Sequence, residues 1–407
     1  MRCGLLGEKL GHSYSPQIHS HLGNYSYDLF EKAPDELEHF LKNGDFTGLN
    51  VTMPYKKAVI PYCDELSDRA KALGAVNTIV RRQDGKLIGH NTDFFGFQSM
   101  VERSGLQVSG KKALVLGSGG ASATVVAVLK ELGADVVVIS RSGENNYDNL
   151  TRHTDTAVIV NATPVGMYPN TGRSPINLTL FPALEGVLDL IYNPARTKLL
   201  MDAEAMGLKT ENGLWMLVAQ AKESAEWFSG QSIDNECIGT IHKTLRTQME
   251  NIILIGMPGS GKSTIGPLLA QQMHMDFVDA DDAITEYAGK SIPEIFAQSG
   301  EKGFRAMETK VLSELGKESG LVIATGGGCV TRDENYPLLH QNGTVFWLQR
   351  DLQKLPTEGR PLSQPGKLYE MYETRKPIYK HFSDHTVDNN SSLTDTVNTI
   401  IAMEDEL

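Results

Sequence analysis

The chain has 407 residues, so it is predicted to contain two or three domains, at roughly 100 to 200 residues per domain. Its formal net charge of -12 and pI near 5.4 disfavour nucleic acid or an anionic membrane as partner, because binding phosphates over a surface needs a basic field. Four cysteines without a CxxC spacing indicate neither a disulfide framework nor a zinc site. No apolar run approaches the roughly 18 residues of a membrane span, so we expect a cytoplasmic protein.

The N-terminal hundred residues alternate between short strands and helices. RCGLLG and FTGLNVT are typical of strands, and DELEHFLKNG between them puts Leu37, Phe40 and Leu41 on one helical face. RRQDGKLIGHN is typical of a hairpin that turns at Asp84 and Gly85. These patterns predict an α/β domain.

A glycine-rich loop follows near the middle of the first half. KKALVLG, ASATVVAVLKELG and DVVVIS form a strand, helix, strand series that predicts a parallel sheet. The loop VLGSGGAS places Gly117, Gly119 and Gly120 where a pyrophosphate could lie at a helix N-terminus. It lacks the third glycine of GxGxxG, so a purely structural turn is an alternative. Arg141, flanked by serines in ISRS, favours the 2'-phosphate of NADP, although a solvated arginine at a strand end is the other interpretation.

A second nucleotide motif begins after about sixty per cent of the chain. NECIGTIHKTLRTQME predicts a helix, and NIILIG restarts a buried strand with almost no linker. GMPGSGKST then has the full GxxxxGK[ST] spacing ahead of the apolar helix TIGPLLAQQM. Backbone amides from Gly259 to Lys262 would cradle phosphate, Lys262 would reach the β and γ groups, and Ser263 would bind Mg²⁺. The motif alone leaves the phosphate acceptor open.

Seven further motifs surround the first glycine loop. GHSYSPQIH, NVTMPYKKAV, ALGAVNTI and GHNTDFFGF precede it, and VNATPVGM, LDLIYNPARTKLL and NGLWMLVAQA follow it. In this order they resemble shikimate dehydrogenase from Met1 to about Gln248. The resemblance implies an N-terminal α/β substrate domain, a Rossmann NADP domain, an active site in the cleft between them, and reduction of 3-dehydroshikimate to shikimate with NADPH.

The resemblance also assigns the dehydrogenase site. Reducing a ketone needs a proton donor at the carbonyl oxygen, and Lys56 with Asp93 resembles the catalytic pair of the family. The alternative is a surface lysine and an aspartate that caps a helix. Six positions match the family's substrate-binding residues, and hydroxyl and amide groups among them suit a polyol acid. They are Ser13, Ser15, Thr52, Asn77, Tyr192 and Gln220.

The implied cofactor contacts fall in three groups, for the pyrophosphate, the 2'-phosphate and the nicotinamide. They are Gly117, Ser118, Gly119, Gly120 and Ala121; Ser140, Arg141 and Ser142; and Leu190 and Gly213, with Asp68 at another position near the cofactor. After ISRS the chain reads GENNYDN, where many family members have another basic residue. The short connection from there to AVIVNATP predicts a trimmed helix.

The second half carries its own series of motifs. FVDADDAI, GEKGFRAMET, ATGGGCV, GRPLS and RKPIYKHFSD follow the phosphate loop and resemble shikimate kinase from Asn251 to about Glu404. The resemblance implies a P-loop, NMP-kinase-like α/β domain. In it Asp279 holds Mg²⁺ through water, and Asp281 contacts the acceptor hydroxyl and acts as its base. A helix start is the alternative reading of these acids.

Three arginines and the phosphate loop complete the implied kinase site. Arg305 and Arg375 would clamp the shikimate carboxylate beside Gly327, and Arg360 on a lid would stabilise the transferring phosphoryl charge; for the arginines the alternative is a surface salt bridge. The nucleotide contacts are Gly259, Ser260, Gly261, Lys262, Ser263 and Thr264, with Ser263 and Asp279 as metal residues. The lid segment RDLQKLPTE is short, lacks the arginine that often stacks on adenine, and contains Pro356, which would break a helix.

The predicted organisation is therefore two enzymes in series. Residues 1–94 form the dehydrogenase substrate domain, to which a helix of about residues 214–248 returns, residues 95–213 form the Rossmann domain, and residues 249–407 form the kinase. The cofactors are NADP(H), ATP and Mg²⁺, and the partners are small-molecule substrates. Two alternatives stay open: a dehydrogenase half tuned to quinate, and a ligand-binding regulatory fusion with one inactive half. The oligomeric state is open.

Overall fold

The computed structural model of the protein describes residues 1–11, 13–355 and 365–406. Contacts divide the chain into two compact units. The first comprises Met1–Tyr192 and Leu199–Thr244, and the second comprises Asn193–Lys198 and Leu245–Leu407. Over the described ranges, no helix is both long and apolar enough to cross a membrane. The domain limits at residues 94, 213 and 249 remain predictions.

The first unit begins with a six-stranded mixed sheet in the order β2-β1-β3-β5-β6-β4. Its strands are β1 (Arg2–Gly7), β2 (Ser26–Glu31), β3 (Gly48–Val51), β4 (Glu65–Leu66), β5 (Thr78–Arg81) and β6 (Leu87–His90), with helices α1 (Ser15–Ser20), α2 (Leu37–Asn43) and α3 (Asp68–Leu73). β1 is parallel to β2 and β3, whereas β5 and β6 form an antiparallel hairpin. Gly85 adopts φ 87° in its turn, which confirms the predicted hairpin.

The second sheet of this unit is entirely parallel, in the order β11-β10-β9-β7-β8. Its strands are β7 (Lys112–Leu116), β8 (Asp135–Ile139), β9 (Val158–Asn161), β10 (Gly186–Asp189) and β11 (Lys209–Glu211). The helices are α4 (Asp93–Ser104), α5 (Gly120–Glu131), α6 (Lys198–Ala205), α7 (Leu214–Ser229) and α8 (Glu236–Met249). A 3₁₀ turn at Leu150–His153 stands where a helix would connect β8 to β9, which confirms the trimmed helix.

Alternation along β7 explains why helices cover both faces of this sheet. Ala113 and Val115 pack into one apolar cluster, with residues of α4 and α5. Leu114 and Leu116 point the other way, into a cluster that contains residues of α6. Successive side chains of a strand face opposite sides, so a fully apolar strand requires a cover on each side. This produces the doubly wound arrangement that the sequence predicts.

The second unit contains a five-stranded parallel sheet in the order β13-β14-β12-β15-β16. Its strands are β12 (Asn251–Ile255), β13 (Asp276–Asp279), β14 (Leu321–Ala324), β15 (Gly343–Gln349) and β16 (His385–Asp388). Its helices are α9 (Lys262–Met273), α10 (Ala280–Ala288), α11 (Ile292–Leu315), α12 (Asn335–His340), α13 (Pro365–Phe382) and α14 (Leu393–Glu406). A kink at Gly300 divides α11. One residue, Glu250, separates α8 from β12, as the missing linker predicts.

Candidate active sites

The predicted proton-transfer pair of the first unit is in direct contact. Lys56 follows β3 and Asp93 is the first residue of α4, and Lys56 Nζ donates to Asp93 Oδ2 at 2.6 Å. The two side chains are 27% and 13% exposed, so the pair is largely shielded but reachable. The N-cap position of α4 is Thr92 rather than Asp93, and the Phe94 N–H in the first turn donates to Asn91 Oδ1 at 3.3 Å, so Asp93 does not cap the helix. The candidate proton donor Lys56 is therefore in direct contact with the carboxylate of Asp93.

A buried polar network extends from this pair to α7. Asn77 Nδ2 donates to Thr92 Oγ1 at 3.0 Å, and Asn77 Oδ1 accepts the Thr92 N–H at 2.7 Å. Thr92 Oγ1 lies 3.5 Å from Gln220 Oε1 and 2.9 Å from Ser224 Oγ. Ser224 also accepts from Asn50 Nδ2 at 2.8 Å. The structure thus joins two predicted substrate residues, Asn77 and Gln220, through Thr92 and Ser224, which the sequence analysis did not identify.

Of the remaining predicted substrate residues, Ser13, Ser15 and Thr52 follow β1 and β3, and Tyr192 follows β10. β1 and β3 are parallel neighbours, so their ends meet at one edge of the sheet. Ser13 Oγ accepts the Ser15 N–H at 3.2 Å, and the Thr52 N–H donates to Leu6 O at 3.0 Å. The ring of Tyr192 meets Tyr14 edge to face, with centroids 6.3 Å apart. Tyr14 therefore links the serine segment to the tyrosine that follows β10.

Glu223 is a titratable group close to the pair that the motifs did not indicate. It lies on α7, and burial raises its pKa to about 7, against the attraction of Arg69. The charge of Asp93 adds slightly to this increase in pKa. Glu223 Oε2 has no hydrogen-bond partner within the described part of the chain. Because the pKa of Glu223 lies near 7, the charge close to Asp93 can change with pH around neutrality.

The first glycine loop fits a pyrophosphate. Gly117 adopts φ 101°, and a Cβ there would come within 3.0 Å of the Ala162 carbonyl oxygen, so a glycine is needed. Gly119 precedes α5 and Gly120 begins it. A Cβ at either position would meet no atom within 4 Å. The N-terminus of α5 is therefore open to an anion, which its unpaired N–H groups and dipole favour.

The predicted 2'-phosphate and nicotinamide positions occupy two other loops. The Ser140 N–H donates to Asn145 O at 3.1 Å, and the Arg141 and Ser142 side chains are exposed. The exposed guanidinium of Arg141 is accessible to an external phosphate. The Gly213 N–H donates to Ile191 O at 3.1 Å, beside Leu190.

Two predicted cofactor residues show less specific surroundings. Asp68 begins α3, and its exposed carboxylate lies 3.9 Å from Lys71 Nζ. The structure therefore joins it to a neighbouring lysine rather than to the glycine loop. Ser118 and Ala121 lie in that loop and in the first turn of α5.

The phosphate loop of the second unit has the backbone that its glycines predict. Gly256, Gly259 and Gly261 have φ angles of 147°, 84° and 101°. Lys262 Nζ donates to Gly256 O at 2.9 Å and Met257 O at 3.1 Å, so the lysine lies along the loop. A cavity of about 390 Å³ opens here, and its lining includes Arg350 and Lys354, which the sequence analysis did not identify. The other lining residues are Gly259, Gly261, Lys262, Ser263 and Thr264.

The predicted magnesium residues are hydrogen-bonded to each other. Ser263 Oγ donates to Asp279 Oδ2 at 2.6 Å, and Asp279 Oδ1 accepts the Asp281 N–H at 3.0 Å as the cap of α10. Asp279 therefore caps the start of α10, as the alternative interpretation predicts, and also lies beside Ser263. Among the described residues, no group of three or more His, Cys, Asp or Glu side chains is arranged to hold a metal ion by itself. Hydroxyl and carboxylate oxygens fit Mg²⁺ that takes its other ligands from phosphates and water.

Asp281 is placed as a candidate base near the ends of β13 and β14. Burial, followed by the charge of Asp279, raises the pKa of its carboxyl. Asp281 Oδ1 is buried and has no hydrogen-bond partner among the described residues. A Cβ at Gly326 would lie 3.1 Å from this oxygen, so the glycine loop after β14 approaches it closely. The charges of Lys262 and Arg305 partly oppose the increase in pKa.

Two arginines converge on the same loop. Arg305 Nη1 donates to Glu308 Oε2 at 2.8 Å, and a Cβ at Gly328 would overlap the Arg305 guanidinium. Arg375 Nη1 donates to Gly327 O at 3.0 Å. The structure therefore brings Arg305, Gly327 and Arg375 together, as the resemblance implies. Arg360 and Pro356 lie outside the described residues.

Glu308 is the residue at this site that the sequence analysis missed. Its side chain is fully buried, and burial raises the pKa of its carboxyl, opposed by Arg305. It stands three residues after Arg305 on α11, a spacing that places both on one helical face. That spacing within GFRAMET was the available signal.

Comparison with known proteins finds one family in each half of the chain. The family described as shikimate kinase matches residues 258–404, and the shikimate dehydrogenase substrate binding domain matches residues 5–79. A shikimate dehydrogenase (NADP(+)) of Clostridium perfringens strain SM101 is 37% identical over 265 residues, covering 60% of this chain and 97% of the relative.

Solved structures resemble the same part of the chain. Shikimate dehydrogenase 1 from Peptoclostridium difficile is 39% identical, with a TM-score of 0.56, over 60% of this chain and 97% of its own. A chorismate mutase/shikimate 5-dehydrogenase fusion protein from Clostridium acetobutylicum is 38% identical, with a TM-score of 0.57, over 60% and 96%.

Proposed function

Because the chain belongs to the shikimate dehydrogenase family and carries a shikimate kinase domain behind it, we propose that it catalyses two successive reactions. As a bifunctional shikimate-pathway enzyme it uses NADP, ATP and Mg²⁺. The first unit reduces 3-dehydroshikimate to shikimate, and the second phosphorylates the 3-hydroxyl of shikimate. The product of one reaction is then the substrate of the next. A cytoplasmic location stays a prediction.

In the reduction, Lys56 and Asp93 handle the proton. Lys56 Nζ donates to the ketone oxygen, and Asp93, 2.6 Å from that nitrogen, holds the ammonium in place. The loop at Gly119 and the exposed Arg141 would hold NADPH, which would supply the hydride. Asn77 and Gln220 hold the substrate's polar groups, because the Thr92 network fixes both side chains.

In the phosphorylation, Asp281 accepts the proton of the attacking hydroxyl. Its raised pKa, caused by burial and the charge of Asp279, makes it a stronger base than an exposed aspartate. Arg305 and Arg375 bind the acceptor carboxylate, for which planar guanidinium groups are suited. ATP, when bound with Mg²⁺ at Ser263 and Asp279, supplies the phosphoryl group.

The observation that carries the proposal is that each unit brings together a set of polar groups suited to one of the two reactions: Lys56 and Asp93 in the first, and Asp281, Arg305 and Arg375 in the second. The test supplies 3-dehydroshikimate, NADPH, ATP and Mg²⁺ to the purified chain and follows NADPH absorbance together with product mass. We expect shikimate 3-phosphate, and omission of ATP should stop the sequence at shikimate. NADPH oxidation without any phosphorylated product would reject the kinase assignment. Faster turnover of quinate than shikimate in the reverse assay would favour the quinate alternative.

A further inference from the structure

A cation at the end of β15 lies beside the phosphate loop. Arg350 directly follows β15 and lines the 390 Å³ cavity with Lys354. Its Nη1 would be 3.9 Å from a Cβ built on Gly261, so the guanidinium approaches the backbone of the loop. Its Nε is buried and has no hydrogen-bond partner among the described residues. The side chain thus offers donors that the described protein groups do not use up.

Strand order separates the two sides of this site. The predicted acceptor residues Asp281 and Gly327 follow β13 and β14, on one side of β12 and its loop. Arg350 follows β15, which is the neighbour of β12 on the other side. Because the carboxyl ends of parallel strands lie along one edge, the acceptor and Arg350 stand on opposite sides of the loop. A nucleotide whose terminal phosphate faces the acceptor must extend toward β15.

We propose that Arg350 binds the α- and β-phosphates of the donor nucleotide, with Lys354 adding charge at the rim of the same cavity. The inference rests on the proposed kinase function and names a residue of its donor side. A guanidinium suits this role because its fork of N–H groups can bind two phosphate oxygens at once.

Local contacts hold the segment after β15 in position beside the phosphate loop. The Asp351 N–H donates to Asn390 Oδ1 at 3.0 Å, and Lys354 Nζ lies 3.4 Å from Asn390 O and 3.5 Å from Asp351 Oδ2. Asn389 Nδ2, from the neighbouring strand end, donates to Ser260 O in the phosphate loop at 2.7 Å. Residues 351–359 contain no arginine, so Arg350 is the arginine that this segment places at its start.

The test measures binding of ADP and of inorganic pyrophosphate to the full-length protein by calorimetry, without shikimate. Arg350→Met should weaken both ligands by a similar factor, roughly ten- to a hundredfold, which is the usual effect of losing hydrogen bonds to a charged group. Arg350→Lys should recover part of the loss. Lys317→Ala, at the end of α11, removes a surface charge in the same unit and should leave both affinities unchanged.

Kinetics separate a binding role from a structural one. In Arg350→Met the KM for ATP should rise, while the KM for shikimate and the dehydrogenase rate stay unchanged. Loss of ADP affinity with unchanged pyrophosphate affinity would overturn the proposal in favour of a contact with the base. Unchanged affinity for both ligands would also overturn it. Because ADP binding is measured without an acceptor, a failure of the shikimate assignment would appear separately, as absence of turnover in the unmodified protein.

Discussion

Glu308 shows how one buried carboxylate can set the position of a substrate-binding cation. It is fully buried, and its Oε2 accepts from Arg305 Nη1 at 2.8 Å. An exposed pair would contribute little, but a largely buried arginine that loses its buried carboxylate partner is costly, because the charge stays desolvated. Arg305 also lies 3.6 Å from Glu301, whose side chain is mostly exposed and therefore screened. Glu308 is thus the partner that orients the guanidinium.

We therefore expect Glu308→Ala to raise the KM for shikimate about tenfold, because Arg305 loses the acceptor that aims it. Glu308→Gln should have a smaller effect, since an amide oxygen still accepts the hydrogen bond. Initial rates at varied shikimate and saturating ATP measure this, with the dehydrogenase rate as an internal control. Tighter shikimate binding in Glu308→Ala would show instead that Glu308 competes with the substrate for Arg305.

The role of a residue could be predicted where the residue lies in a recognisable motif. It could not be predicted where the role depends on a partner that is distant in sequence and lies in no motif. Lys56 and Asp93 were identified although 37 residues separate them, because each lies in a recognisable motif. Ser224 was not, since its partner Asn50 is 174 residues away and a serine in the middle of a helix carries no signal of its own. Arg350 was missed for the same reason: its position beside Gly261 comes from strand pairing, not from spacing.

At the scale of elements, the strands were the most predictable part of the fold. β7 and β12 are continuous apolar runs, and fully buried parallel strands require such runs. The order of the strands was not predictable, because local sequence does not specify which strands pair. That order nevertheless separates the acceptor and nucleotide sides of the phosphate loop in the second unit.

The junction between β10 and α7 allows a test of element packing. A Cβ on Gly213 would come within 2.1 Å of the Leu190 carbonyl oxygen, so Gly213→Ala must displace the start of α7 or the loop after β10. We expect at least a tenfold loss of dehydrogenase kcat/KM and about 1 to 3 kcal/mol of lost stability, typical of overpacking. Steady-state kinetics and urea unfolding measure the two effects.

The matched control for this variant lies in α8. At Gly239 a Cβ would meet its nearest atom, in Trp215, at 4.0 Å. Gly239→Ala should therefore stabilise the protein slightly, by up to about 1 kcal/mol, because alanine favours a helix more than glycine does. Full dehydrogenase activity in Gly213→Ala would show that close packing of Gly213 against the Leu190 carbonyl is not needed for activity.

At the scale of the whole molecule, two units with separate cores carry the two sites. β7 lies between two apolar clusters of the first unit, and β12 contributes to two others in the second. Joining two enzymes in one chain raises the concentration of each site around the other, but shikimate is small and free to diffuse. Free diffusion of so small an intermediate therefore predicts two independent reactions.

Crossed variants test this independence. Lys56→Ala removes the proton donor of the first site, so reduction of dehydroshikimate should fall at least a hundredfold while phosphorylation of added shikimate continues at its normal rate. Lys262→Ala should do the reverse, because its amine lies along the phosphate loop of the second unit. An equimolar mixture of the two variants should then restore formation of shikimate 3-phosphate from dehydroshikimate, since the intermediate diffuses between molecules. If each variant lost both activities, the sites would be coupled, and if the mixture stayed inactive while each kept one activity, the intermediate would have to be passed within a single chain.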